Sequence, residues 1–204
     1  MIARKTMTPA VVGLVWLSAN LAVAQPAQMT FGPVAQARSD AKPGRPIDPV
    51  LGEILRKELS RDVDEDMKKS TLVRWAETPL PSGAREVVVY ISGGGPASLG
   101  EMGGWCGTGG CSIDIFERRG AEYRKIGDIQ GWLPVRLLAQ THDGHPDLSI
   151  WVQGGGVYPG YASRIVCHAG HYPMDGIPPF DRKIPAKMGT RLLDDHRAGT
   201  KLYP

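Results

Sequence analysis

The sequence predicts a mainly β (α+β) fold, an antiparallel meander sheet or small sandwich with one N-terminal amphipathic helix. Short runs rich in β-branched and aromatic residues recur along the second half of the chain, and turn residues separate them. One stretch in the first half has apolar residues at every fourth position, which is a helical spacing. No helical pattern lies between the later runs, so the crossovers that a parallel sheet requires are not predicted.

The first 24 residues have the pattern of an export signal. Arg4 and Lys5 give a positive start, an apolar run follows over 10–21, and 22–24 is a small-residue cleavage site. The apolar run is shorter than the roughly 20 residues that span a bilayer. We therefore expect cleavage before Gln25 and a periplasmic or secreted protein with no membrane span after cleavage.

The expected mature chain has 22 basic and 21 acidic side chains, a formal charge of +1. This balance lacks the clustered positive charge that binding to nucleic acid requires, so nucleic acid is not an expected partner. Its 180 residues can hold one core of ordinary size. We expect a flexible lead-in over 25–47, a single β-rich domain with its helix over 48–172, and an irregular Pro-rich tail over 173–204. Within the tail, Leu192 and Leu193 are the residues able to dock on the sheet.

The predicted helix begins at Asp48-Pro49, where an N-cap residue precedes the residue preferred at the first helical position. Its apolar face is formed by Leu51, Leu55, Leu59 and Val63, with Ile54 beside them. We expect the helix to span 49–69 with a break near Asp62. The acidic segment 62–66 is interpreted as a solvated helix face rather than a cation site.

The predicted strands are 86–92, 112–117, 122–129, 134–140, 147–153 and 162–168. Turn residues lie between them at 118–120, 143–144, 154–156 and 169–170. Asp143-Gly144 is a strong signal for a two-residue hairpin turn.

The connection between the first two predicted strands is long and rich in glycine, and it ends in the sequence WCGTGGC. Cys106 and Cys111 have four residues between them, and in an oxidising compartment they are expected to form a structural disulfide. A redox role is disfavoured, because the spacing is not Cys-x-x-Cys and no basic neighbour lowers a thiol pKa. Loops of this length are often functional, so the head is predicted to be a binding surface. Its residues are Trp105, Gly107, Thr108, Gly109 and Gly110.

Cys167 is the third cysteine and lies in the last predicted strand. The first interpretation is a buried small hydrophobic residue. Two alternatives remain open: a zinc site made by the three cysteines with His168, and an intermolecular disulfide.

The segment 141–147 gathers two imidazoles and two carboxylates within six positions. Its candidates for catalysis or metal binding are His142, His145 and Asp147, and His168 and His171 can approach from a neighbouring strand. The competing and favoured interpretation is an ordinary exposed turn at Asp143-Gly144. We therefore expect no metal, no cofactor and no catalytic residue.

Signatures of common enzyme classes are missing from the chain. It has no Gly-x-Ser-x-Gly elbow, no His-Glu-x-x-His helix, no phosphate loop and no nucleotide-binding fingerprint. The sequence therefore favours a protein that is not an enzyme.

The motifs EVVVYISGGG, WCGTGGCSIDIFE and PVRLLAQTHDGHPDLSIWVQGGG occur in this order. Their succession resembles a family of uncharacterised exported bacterial proteins with a Cys-Gly-Ser-Gly-Gly-Cys head, loosely similar to FG-GAP repeats. The resemblance covers 73–173 and is most specific at Cys106–Cys111 and Asp147-Leu148. Members of that family carry an acidic calcium-loop segment before the first strand, whereas 75–83 here has one carboxylate, so that site is not expected. The resemblance implies fold and compartment, and no activity.

These observations predict a non-catalytic envelope protein that binds an envelope protein or a cell-wall component. One alternative is an inhibitor or immunity-type protein against a cell-wall hydrolase, which would use the protruding head. Another is a metal-dependent hydrolase that uses the His142–Asp147 loop. A cleft that gathers His142, His145, Asp147 and His168 would favour the hydrolase.

Overall fold

The structure is a computed structural model. It describes residues 44–60, 64–94, 104–153, 159–174, 183–195 and 198–203. These residues belong to one compact unit within Phe31–Pro204. The expected signal peptide and most of the expected lead-in lie outside the described residues. Within the described ranges, no helix is both long enough and apolar enough to cross a membrane.

Two helices occupy the region of the predicted single helix, α1 (Pro49–Leu59) and α2 (Glu65–Ser70). As predicted, Asp48 caps α1, and its carboxylate accepts hydrogen bonds from the first turn of the backbone. α1 ends at Leu59 and α2 begins at Glu65, which agrees with the predicted break near Asp62. Asp64 adopts an extended backbone and caps α2 with its carboxylate. The acidic side chains Glu65 and Asp66 pair with lysines of the same short helix, which agrees with a solvated face. Asp62 lies outside the described residues.

The strands form one sheet with antiparallel pairing, so the predicted fold class is confirmed. They are β1 (Leu72–Pro79), β2 (Arg85–Ser92), β3 (Cys106–Gly107), β4 (Gly110–Arg119), β5 (Glu122–His142), β6 (His145–Val152), β7 (Tyr161–Ile165), β8 (Lys183–Ile184), β9 (Thr190–Leu193) and β10 (Thr200–Lys201). The order across the sheet is β10-β1-β2-β4-β5-β6-β7-β8, with β3 beside β4 and β9 beside β5.

The long strand β5 replaces the two predicted strands 122–129 and 134–140. The residues between them stay paired, Gly131 with Cys111 of β4 and Trp132 with Trp151 of β6. A cis peptide bond precedes Pro134 within the strand. The first half of β5 pairs with β4 and the second half with β6, so β5 connects the two halves of the sheet.

The prediction of an irregular tail after residue 173 is wrong. The tail contributes β8, β9 and β10, which pair with β7, β5 and β1. Leu193 is buried, as predicted for a docking residue, and Leu202 is buried as well. The domain therefore extends beyond the predicted boundary at 172. These strands have two to four residues each, too few to show a period of alternation.

The core has two apolar clusters on opposite faces of β2 and β4, because successive side chains of a strand point to opposite faces. The first cluster joins one face to β5, β6 and β7, and it includes Val88, Ile115, Ile150 and Tyr172. The second cluster joins the other face to α1 and includes Leu51, Leu55, Val89 and Leu202.

Candidate functional site

A groove of about 520 Å³ lies at the end of the β5–β6 hairpin. One wall is the hairpin turn, and the other is the segment that follows β7. Its lining residues are His142, Asp143, Val166, Cys167, His168, His171, Tyr172 and Pro173. Small-molecule sites have volumes of roughly 300–1,000 Å³, so the groove has the size of a binding site.

The hairpin wall is built by the predicted two-residue turn. Asp143 and Gly144 have φ angles of 50° and 81°, the left-handed pair that a tight hairpin between twisted strands requires. The Asp143 carboxylate accepts a hydrogen bond from the backbone N–H of Ala169 across 2.5 Å. This bond ties the hairpin to the opposite wall and fixes the width of the groove at one end.

The opposite wall is a second tight turn, between His168 and His171. Their backbones form a two-way bridge, with N–H to carbonyl distances of 2.7 and 3.1 Å. Ala169 and Gly170 between them have positive φ angles. Both histidines are exposed, as is His142 on the hairpin, so three imidazoles border the groove.

Tyr172 forms the floor next to this turn and is 2% exposed. Its hydroxyl lies 2.8 Å from Glu86 Oε2 and 2.5 Å from the Pro146 carbonyl oxygen. Burial, followed by the charge of Glu86, raises the pKa of the Tyr172 phenol far above its usual range. The phenol is therefore a protonated donor that anchors the groove to the core.

Glu86 is a fully buried carboxylate at the start of β2. In addition to Tyr172, it accepts a hydrogen bond from His145 Nδ1 at 3.0 Å, so Nδ1 carries the proton. Its second oxygen, Oε1, has no hydrogen-bond partner among the described residues. The sequence analysis missed Glu86, because both faces of β2 are buried and the alternation of side chains does not single it out.

Asp147 is a second fully buried carboxylate behind the hairpin wall. It pairs with His142 Nδ1 at 2.7 Å and with the guanidinium of Arg164, whose Nε lies 2.6 Å away and whose Nη2 also contacts it. These bonds hold His142 at the rim of the groove.

The predicted cluster in 141–147 is therefore divided in two. His142 lines the groove together with His168 and His171, whereas His145 and Asp147 lie behind it in buried hydrogen bonds. Among the described residues, no three His, Cys, Asp or Glu side chains are placed to hold a metal ion. The structure thus gathers part of the set that would favour a hydrolase, without a metal-ligand arrangement.

Cys167 lies on the groove wall as a free cysteine with 1% exposure. Its interpretation as a buried small residue is confirmed, although β7 ends at Ile165 and Cys167 follows the strand. Burial, together with Asp143 and Glu86, raises the pKa of its thiol to about 11. The thiol is therefore protonated near neutral pH and is a weak nucleophile.

The predicted disulfide between Cys106 and Cys111 is present. Both cysteines are buried in the first core cluster, where the Tyr90 hydroxyl lies 2.9 Å from Cys111 Sγ. Within the enclosed turn, Gly107 and Thr108 are exposed, whereas Gly109 and Gly110 are buried. Residues 95–103 of the glycine-rich connection lie outside the described residues.

Trp105, which is predicted to belong to the binding surface of the head, is half-buried. Its indole packs against the second core cluster, and Nε1 donates a hydrogen bond to Thr71 Oγ1 at 2.9 Å. Its backbone N–H also bonds the Gly93 carbonyl, which holds the residue against the end of β2. Whether the head contacts a partner through Gly107 and Thr108 stays a prediction.

Comparison with protein-family models, with curated proteins and with solved structures finds no match for this chain. The resemblance to exported proteins with a cysteine-clamped head therefore stays a prediction from the motifs.

Proposed function

We propose that the protein is a non-catalytic exported binding protein and that its ligand site is the histidine-lined groove. The observation that carries this proposal is the groove itself, whose volume of about 520 Å³ suits a small ligand or a short peptide segment. Its walls are fixed before any ligand arrives, because Tyr172 and Asp143 connect them to the core and to each other. A preformed site binds without a large ordering cost.

The bonding of the side chains favours binding over catalysis. The imidazole of His145 and the phenol of Tyr172 bond the same buried carboxylate, and His142 bonds Asp147. His145 is not among the lining residues of the groove, so it is not placed to act as a general base on a bound ligand. The Cys167 thiol, with its raised pKa, is a weak nucleophile. Hydrogen-bonding groups for recognition remain at the exposed rims.

The expected compartment is periplasmic or extracellular, so the ligand is one presented there. Two features support this part of the proposal, the export pattern of the first 24 residues and the disulfide. Disulfides persist in oxidising compartments. The candidate partners are an envelope protein or a cell-wall component, either of which can offer a polar group to the groove.

The groove replaces the disulfide head as the proposed working surface. An inhibitor or immunity-type protein was expected to act through a protruding head. Between Trp105 and Gly110, however, Gly107 and Thr108 are the exposed residues, and the indole packs inward. The described part of the head offers less binding surface than the groove.

The test is a ligand-observed NMR screen of a mixed library of acidic, basic and neutral small compounds. Wild-type protein is compared with His171→Trp, which fills the groove from an exposed rim position. The matched control is Thr108→Trp, which adds the same indole to an exposed turn of the head. Circular dichroism and thermal unfolding verify that both variants are folded.

We expect compounds that bind wild-type protein to lose binding in His171→Trp and to keep it in Thr108→Trp. Loss of binding in Thr108→Trp but not in His171→Trp would place the ligand site on the head. Compounds that bind both variants as they bind wild type would refute the groove as the ligand site.

A further inference from the structure

Among the described residues, more carboxylates than lysines and arginines lie at or behind the groove. Asp143 lines it, and none of the described lining residues is a lysine or an arginine. Glu86 and Asp147 lie behind the walls, each within one hydrogen bond of a lining side chain. The guanidinium of Arg164 offsets Asp147. Within the described part of the chain, Asp143 and Glu86 have no lysine or arginine in an ion pair with them.

Burial and this negative charge raise the pKa of two groove side chains, the Cys167 thiol on the wall and the Tyr172 phenol on the floor. After burial, the influences that raise the pKa of the Cys167 thiol are the charges of Asp143, Glu86 and Asp147. The pKa of the Tyr172 phenol is raised in the same direction, first by burial and then by Glu86. The largest charge influence on each residue comes from an acidic group, Asp143 for Cys167 and Glu86 for Tyr172.

The two arginines that bind the neighbouring Glu117 do not offset the negative charge at the groove. Glu117, which pairs with Glu86 across β2 and β4, bonds both Arg119 and Arg124. The two arginine side chains are 70% and 55% exposed, so solvent screens their charge. Their guanidinium groups are engaged by Glu117 and do not line the groove.

We propose that the groove selects ligands that carry a primary ammonium group, which the Asp143 carboxylate and the imidazoles at the rims receive. This inference rests on the proposed function and adds the chemical class of the ligand. An ammonium group has three donors and no acceptor. The rims offer matching acceptors, the carboxylate of Asp143 and the imidazole nitrogens of His168 and His171. The volume leaves room for several carbon atoms beyond the ammonium group.

An ammonium group of this kind has two sources, a free small amine or a lysine side chain of a partner. The recognition chemistry is the same for both. A probe of each kind is therefore needed, so that the source is identified by comparing their affinities.

The experiment measures dissociation constants by ligand-observed NMR for three four-carbon probes of matched length. They are putrescine, which is cationic, 1,4-butanediol, which is neutral, and succinate, which is anionic. We expect putrescine to bind at least about tenfold more tightly than the other two, as charge complementarity in a partly dehydrated groove predicts. A capped dipeptide, acetyl-Gly-Lys-amide, represents the lysine of a partner. Tighter binding of the dipeptide than of putrescine would identify a partner's lysine as the source, and the reverse order a free amine.

Asp143→Asn supplies the matched variant. Asparagine tolerates the left-handed backbone at this position and can still accept the hydrogen bond from Ala169, so the turn is kept while the charge is lost. We expect the dissociation constant for putrescine to rise at least about fivefold. Asp66→Asn is the control. Asp66 is an exposed carboxylate on α2, and α2 lies beside the end of β2 that is farther from Glu86. The substitution is expected to leave binding unchanged.

Several outcomes would overturn the inference. Succinate would bind more tightly than putrescine, 1,4-butanediol would bind as tightly as putrescine, or putrescine would not bind. Alternatively, Asp143→Asn would leave the dissociation constant for putrescine unchanged. If library compounds still lose binding in His171→Trp, any of these outcomes removes the ammonium preference and leaves the groove as the site. Failure of the proposed function itself would instead appear as library binding that His171→Trp does not change.

Discussion

At the scale of single residues, Trp105 is a structural residue. Its indole is half-buried against the second core cluster and bonds Thr71. Replacing it with alanine removes aromatic contact area and leaves the Thr71 hydroxyl without this partner. We expect Trp105→Ala to lower the free energy of unfolding by about 2–3 kcal/mol, less than for a fully buried aromatic residue. Urea denaturation under non-reducing conditions measures this change.

Trp105→Phe separates the two contributions, because it keeps most of the packing and loses the hydrogen bond. We expect it to cost about 1 kcal/mol. If Trp105→Ala unfolded at the same urea concentration as wild type, the indole would contribute nothing to the core. Trp105 would then again be a candidate residue of a binding surface at the head.

Single residues were predictable where the chemistry is local. The disulfide followed from two cysteines in one short segment, and the Asp143-Gly144 turn followed from residues that tolerate positive φ. Glu86 was not predictable, because its partners His145 and Tyr172 are 59 and 86 residues away in sequence. A single sequence carries no signal for such a pairing.

At the scale of elements, a partly buried charge network connects α1 to the sheet. Lys125 Nζ of β5 lies 2.9 Å from Asp114 Oδ1 of β4 and 2.9 Å from Asp128 Oδ2. Glu58 of α1 is 3.6 Å from the same ammonium group. Burial raises the pKa of Asp114 to about 6, although Lys125 acts in the opposite direction.

This network makes the free energy of unfolding depend on pH. The pKa of Asp114 is about 6 in the folded protein against 3.8 for the unperturbed group. Between these values the folded state binds more protons than the unfolded state, so this group's contribution to stability rises as pH falls. We expect wild-type protein to gain about 2 kcal/mol relative to Asp114→Asn when pH falls from about 7 to about 4. Unfolding curves of both proteins across this range measure the difference, and parallel pH profiles would contradict the prediction.

Elements were predictable where a start signal or a long run of β-branched residues exists. The N-cap at Asp48 and the strand β2 follow from such signals. The break near Asp62 was expected, but the cap that begins α2, Asp64, was not identified because it lies within an acidic run. The continuity of β5 depends on pairing with two different neighbours, and these lie far away along the chain.

At the scale of the whole molecule, the tail closes the domain. Leu202 is 1% exposed in the second core cluster, its N–H bonds the Thr71 carbonyl and its own carbonyl accepts from Arg56 of α1. We expect Leu202→Ala to lower the free energy of unfolding by about 2–4 kcal/mol, as large-to-small core substitutions do. Met188→Ala in the same tail is the control, because Met188 is 41% exposed and its loss is expected to cost less than about 0.5 kcal/mol. Equal effects of the two substitutions would show that the tail is not part of the core.

The fold class was predictable because turn residues and β-rich runs repeat along much of the chain. The site was predictable in part. The segment 141–147 and the turn at 168–171 were identified as candidates, and the structure brings His142, His168 and His171 together. His145 and Asp147 are buried and hydrogen-bonded because of how the strands pack in three dimensions. Residue spacing does not encode this packing.

The most direct test of the central claim is a map of backbone amide shifts in the isotope-labelled protein. The probe is the compound from the mixed library with the lowest dissociation constant. We expect the largest shifts at the amides of Cys167, His168 and His171, because these residues line the wall of the groove. The amides of Gly107 and Thr108 are expected to stay unchanged. Largest shifts at Gly107 and Thr108, with an unchanged turn at 168–171, would contradict the claim and place the ligand on the disulfide head.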